Sequence, residues 1–173
     1  MHYGQHIYVL IVKYKNKGIL IDTNLLILFL IGIYNPTYIQ NFKRTEKYTT
    51  EDFNIIKNII SNFSRLIITP QILAEVSNLS LQIPERKQND YFKTALSFLR
   101  STFEIYIEKN EVLNLRNNPK YGFTDLSIVE CGRNHSCLIL TDDFPLSGYL
   151  ASLKCDHINL NYIKTEIIHG ELK

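Results

Sequence analysis

Short apolar runs and longer helical repeats alternate along this chain. Gly18-Ile19-Leu20-Ile21-Asp22, Leu66-Ile67-Ile68-Thr69 and Cys137–Leu140 are apolar stretches of strand length, and each gives way to polar residues. Continuous apolar character over so few residues suits a strand covered on both faces. After the first run, Asp22-Thr23-Asn24 offers helix-capping side chains ahead of apolar Leu25–Tyr34, and Asn35-Pro36 should end that helix. Residues 36–50 are polar and read as loop. From Thr50 onward, Phe53, Ile55, Ile56, Ile59, Ile60 and Phe63 recur at helical spacing. Pro70 can open the helix Gln71–Leu79, because a first-turn N–H has no helical partner to lose. Pro84 starts another helix, along which Tyr91, Phe92, Ala95, Leu96, Phe98 and Leu99 repeat. Phe103–Ile107 alternates as a strand does, and Asn117-Asn118-Pro119 marks a loop. Thr124-Asp125 caps a helix running to about Asn134, Pro145–Leu153 forms another, and Ile158-Asn159-Leu160 alternates weakly as a final edge strand. Residues 1–16 fit either a leading strand or a short helix.

Strands alternating with helices predict an α/β protein with a mostly parallel central sheet and helices on both faces. At 173 residues, 45% apolar and 21% charged, the chain reads as one globular domain, 1–173. Nineteen basic against 17 acidic residues leave a net charge of +2, too even to imply nucleic-acid binding by itself. A phosphate-binding face would have to come from local clusters such as Lys13, Lys15 and Lys17, or Lys43, Arg44 and Lys47. Leu25–Tyr34 is shorter than the ~20 residues of a membrane-spanning helix, so a buried helix explains it and no membrane partner is expected. Cys131, Cys137 and Cys155 form no C-x-x-C pair and no secretory leader precedes them, which fits a reducing cytoplasm.

Candidate chemistry changes this picture at the carboxylates. Asp22 and Asp143 end strands, and Asp125 opens a helix just after a loop. Sites in open α/β sheets form beyond the carboxyl ends of the strands, where helix N-termini also favour negative charge. Carboxylates brought together repel unless a cation neutralises them, and oxygen-only ligands suit Mg²⁺ or Mn²⁺. Such an ion activates water and stabilises an in-line phosphoryl transition state. The plain alternative for each residue is a helix cap or a turn. Other chemistries lack their motifs. There is no P-loop, no G-x-G-x-x-G among the 7 glycines, no G-x-S-x-G around Ser77, Ser127 or Ser147, and no zinc-ligand spacing at His135 or His157.

Four segments, in order, resemble the PIN-domain family of metal-dependent nucleases. Ile19-Leu20-Ile21-Asp22-Thr23-Asn24 is similar to that family's opening hhhDTN motif, and Thr69-Pro70-Gln71-Ile72-Leu73-Ala74-Glu75-Val76 to its strand-to-helix segment with an acid. Gly122-Phe123-Thr124-Asp125-Leu126-Ser127-Ile128 resembles its G-x-[ST]-D-x-x-[IL] segment, and Leu138-Ile139-Leu140-Thr141-Asp142-Asp143 its closing hhhTxD motif. The resemblance implies a Rossmann-like three-layer α/β/α fold with its motif-bearing core at about 19–163. It implies Mg²⁺ or Mn²⁺ at Asp22, Glu75, Asp125 and Asp143, with Asp142 as an auxiliary ligand and Asn24 and Thr141 as supporting polar residues. The implied activity is endonucleolytic hydrolysis of RNA. Implied partners are the RNA, an antitoxin protein if the chain is the toxin of a toxin–antitoxin pair, and a second copy of the chain.

Two departures from the family pattern stand out. Asp22 and Glu75 are 53 positions apart, with an extra helix near residues 51–63, and Phe103–Asp125 leaves little room for a helix. A haloacid-dehalogenase-like phosphatase is disfavoured because Asn24, not Asp, lies two residues after Asp22. A DNA-directed nuclease and a catalytically inactive PIN-like binding module are the remaining alternatives.

Overall fold

The computed structural model describes residues 4–115 and 120–168, so the loop expected at Asn117-Asn118-Pro119 lies outside the described residues. Five strands form one sheet: β1 (Ile19–Ile21), β2 (Leu66–Ile68), β3 (Phe103–Glu104), β4 (Leu138–Thr141) and β5 (His157–Asn159). Their order is β3-β2-β1-β4-β5, and every neighbouring pair is parallel. The strands are short, yet all residues of β1, β2 and β4 are buried. Successive strand side chains point to opposite faces, so burial of every residue means that helices cover both faces.

The helices are α1 (Gln5–Tyr14), α2 (Thr23–Tyr34), α3 (Thr50–Ile60), α4 (Pro70–Ser80), α5 (Glu85–Leu99), α6 (Lys109–Asn114), α7 (Phe123–Asn134), α8 (Phe144–Ser152) and α9 (Leu160–Ile168). Among them α2 is apolar all round and packs against α3, α4 and α5, with Leu25–Gly32 all buried. A helix without a polar face has to be enclosed by others. No helix among the described residues is long and apolar enough to cross a membrane.

The ambiguous leading segment is helical, and Ile7, Leu10, Ile11 and Tyr14 form its buried stripe at i, i+3, i+4 and i+7. The polar stretch after α2 is only partly loop. It contains a 3-10 turn (Pro36–Asn41) and buries Tyr38, Ile39, Phe42, Thr45 and Tyr48. The Thr45 hydroxyl donates to the Ile39 carbonyl at 2.6 Å and satisfies a group that would otherwise be unpaired in the interior. Strand β3 is shorter than its alternation suggests, because Phe103 and Glu104 are exposed at the sheet edge. The narrow interval before α7 holds a six-residue helix, α6, whose entry is capped by a Glu111 carboxylate accepting from Glu108 N–H at 2.9 Å.

Strand order decides where a site can form. From β1 the chain adds β2 and β3 on one side, then crosses to place β4 and β5 on the other. The connections leaving β1 and β4 therefore diverge, and it is beyond the carboxyl ends of such strands that open α/β sheets form their sites.

Candidate active site at the carboxyl edge of the sheet

Asp22 follows β1 and is held from three directions. Its backbone N–H donates to the Leu140 carbonyl of β4 at 3.0 Å. One carboxylate oxygen, Oδ1, caps α2 by accepting from Leu25 N–H at 2.9 Å. The other, Oδ2, accepts from the Thr141 hydroxyl and from Asp142 N–H at 3.2 Å. The same Thr141 hydroxyl accepts from Asp143 N–H at 3.0 Å, so this one fully buried side chain sets Asp22 and Asp143 relative to each other. Burial, reinforced by the negative charge of Asp142, pushes the Asp22 carboxyl up to about 7 against these hydrogen bonds.

Asp143 opens α8, its Oδ1 accepting from Leu146 N–H at 2.6 Å. Its carbonyl accepts from Asn159 Nδ2 at 3.4 Å, and the Asp142 carbonyl from Asn161 Nδ2 at 2.7 Å, so two asparagines beyond β4 brace this corner. On α7, Asp125 occupies the third helical position and its Oδ2 accepts from Gly122 N–H at 3.2 Å. Its pKa is raised chiefly by burial and further by the charges of Asp143 and Glu75. Glu75, on the second turn of α4, accepts from the Thr23 hydroxyl at 3.0 Å. Tyr121 adjoins the same group: burial raises its phenol most, and Asp143 and Asp125 add to the effect.

The four acids expected from sequence therefore gather along one edge of the sheet, each on a helix that starts there. Within the group, Asp125 interacts electrostatically with Asp143 and Glu75, whereas Asp22 interacts most strongly with Asp142. No three His, Cys, Asp or Glu side chains among the described residues stand close enough together to hold one ion. The donor set, all carboxylate oxygen, fits a hard divalent cation, and the mutual repulsion around Asp125 is the electrostatic condition that such a cation relieves. Glu75, Asp125 and Asp143 are the acids whose charges meet, and a cation would have to draw them closer to be held by all three.

The other expected residues differ in placement. Asn24 is exposed on the first turn of α2, and its neighbour Thr23 is the residue that reaches Glu75. Asp142 is nearly buried, and its Oδ2 accepts from Lys47 Nζ at 2.7 Å and the Tyr48 hydroxyl at 2.8 Å, while Oδ1 has no hydrogen-bond partner. The sequence suggested Lys47 only as part of a basic cluster and gave no sign of Tyr48, yet both reach Asp142 from the long segment between Asp22 and Glu75. Sequence reasoning also missed a buried link between α4 and α7. The Ser127 hydroxyl donates to the Thr124 carbonyl at 2.7 Å, which leaves its oxygen to accept from the Thr69 hydroxyl at 3.1 Å. The Thr69 oxygen in turn caps α4 by accepting from Ile72 N–H at 3.3 Å. Thr69 directly before Pro70 was the available signal, since Thr is a favoured cap and Pro a favoured first helical residue.

The chain matches no protein-family model, no curated protein and no solved structure.

Proposed function

We propose that this chain is a PIN-like, divalent-metal-dependent endoribonuclease with a Rossmann-like arrangement of its sheet. The observation that carries the reading is that the charges of Glu75 and Asp143 both bear on Asp125 at the edge where strand order reverses and oppose its ionisation. Helix capping alone gives no reason for the charges of Glu75 and Asp143 both to bear on a part-buried Asp125. A cation bound there supplies water activation and stabilises negative charge on a phosphodiester. Thr141 and the backbone N–H of Asp142 hold Asp22 in register, Thr23 fixes Glu75, and Gly122 N–H orients Asp125. RNA as the substrate comes from the motif resemblance, as does a toxin role with a protein antitoxin.

The test is cleavage of RNA and DNA oligonucleotides with Mg²⁺, with Mn²⁺ and with EDTA. Wild type should cut RNA only when a cation is present. Asp125→Asn and Asp143→Asn should each lower the rate at least about a hundredfold, the scale of losing catalytic electrostatics. Metal-independent cleavage, or full activity in both variants, would contradict the assignment. A second reading, an inactive binding module, draws support from the absence of any three converged ligands among the described residues. Isothermal calorimetry separates the two, because the module predicts no heat on adding either cation.

A further inference from the structure

A cavity of about 340 Å³ is lined by Gln71, Lys109, Val112, Leu113 and Phe123. Its walls come from α4, α6 and α7, and its position follows from the sequence of two of them. Gln71 precedes Glu75 by four residues on α4, one turn away on the same helical face, a rise of ~6 Å. Phe123 opens α7 two residues before Asp125, so the two side chains leave the same first turn on different faces, and that of Phe123 is about half exposed. The lining is mostly apolar: Val112 is buried and Leu113 is 45% exposed. Two polar groups interrupt it. Lys109 adds a positive charge, and Gln71 Oε1 is buried without a hydrogen-bond partner while its Nε2 donates weakly to the Ile107 carbonyl at 3.5 Å. The terminal torsion of a glutamine is soft, so a small rotation presents the unpaired oxygen to an occupant.

We propose that this cavity receives one unstacked base of the nucleic-acid strand whose backbone passes the carboxylates. A flat, apolar group with hydrogen-bonding atoms on its edge matches the lining: an aromatic and two aliphatic side chains for the faces, one unpaired acceptor for an N–H on the pairing edge. Single-stranded nucleic acid is commonly held by stacking a base on an aromatic side chain while its edge is read by hydrogen bonds. The one-turn offset between Gln71 and Glu75 places base and backbone at neighbouring points of one helix, and Lys109 favours the phosphate that accompanies the base. An apolar protein side chain would fill the same space but leave Gln71 Oε1 unpaired and Lys109 without an anion.

This inference depends on the nuclease reading only for the identity of its ligand, and binding in EDTA tests it apart from cleavage. The chain contains no Trp, so Phe123→Trp installs a single reporter in the cavity wall. Short oligocytidylate should quench its emission saturably, and the same oligomer with abasic riboses should not. With fluorescently labelled oligomers and an otherwise native chain, Gln71→Leu should weaken binding of the intact strand about tenfold and leave the abasic strand unchanged. Quenching without cation-dependent cleavage would retain the base site and reject the nuclease. Cleavage by the native chain, with no quenching and equal effects of Gln71→Leu on both strands, would overturn the base site and retain the nuclease.

Discussion

Burial and the hydrogen bonds of Asp22 act on its charge in opposite directions. Thr141, Leu25 N–H and Asp142 N–H favour the carboxylate, but burial and the Asp142 charge outweigh them and raise the group from 3.8 to about 7. A carboxyl raised on folding holds its proton in the native state after the unfolded chain has released it. Stability is therefore greatest below about pH 4 as far as this group is concerned, falls as pH rises to about 7, and is level above that. The difference is on the order of a few kcal/mol. Urea titrations at intervals from pH 4 to 8 should show this fall in the wild type and a shallower one in Asp22→Asn, and parallel curves would remove Asp22 as the cause. Asp142 responds in a second, independent way. Its buried carboxylate loses a donor in Tyr48→Phe, which should cost about 1–3 kcal/mol in the same assay.

Between elements, close packing of α2 against α3 sets a sharp constraint at Gly32. A Cβ there would lie 2.2 Å from the Phe53 ring, which itself packs at 5.7 Å from Phe29. Ala is the better helix former by ~1 kcal/mol, yet forcing the helices apart should make Gly32→Ala destabilising by about 1–3 kcal/mol. Equal or higher stability in that variant would show that α3 shifts freely. The cap shared by α4 and α7 links packing to the site. Thr69→Val removes both the Ile72 cap and the bond to Ser127, and should cost about 1–2 kcal/mol while lowering cleavage through misplacement of Glu75 against Asp125. What sequence could convey also divides at this scale. Strands β1, β2 and β4 were legible because burial on both faces leaves an uninterrupted apolar run, and Asp22 and Asp143 stood out as the acids just beyond β1 and β4. The 3-10 turn was not, because Tyr38, Ile39 and Phe42 bury their side chains from a segment dominated by polar residues. Helix α6 is too short to show periodicity, and the Lys47–Asp142 and Tyr48–Asp142 contacts join residues more than 90 positions apart.

At the scale of the whole molecule, the acidic edge sets a tension between folding and charge that a cation would release. Burial raises the Asp125 carboxyl most, and the charges of Asp143 and Glu75 add to the effect. Asp125→Asn should therefore stabilise the cation-free protein slightly while removing its response to added metal. Ligand binding to the native state alone raises stability by RT ln(1 + [L]/Kd), about 2.7 kcal/mol at a hundredfold excess over Kd. For a domain of this length that is a Tm increase of about 5–10 °C. Mg²⁺ or Mn²⁺ should produce it in the wild type, more strongly at pH 8 than at pH 5.5, because carboxylates must be ionised to ligate and burial raises the Asp125 carboxyl above its ordinary value. Differential scanning fluorimetry across that pH range, with Ca²⁺ and high NaCl as controls for ionic strength, distinguishes site binding from screening. A cation-induced rise in the wild type that Asp125→Asn and Asp143→Asn both lose places the ion at the edge where β1 and β4 diverge. A Tm that follows ionic strength alone leaves these carboxylates as helix caps and the sheet edge without a metal.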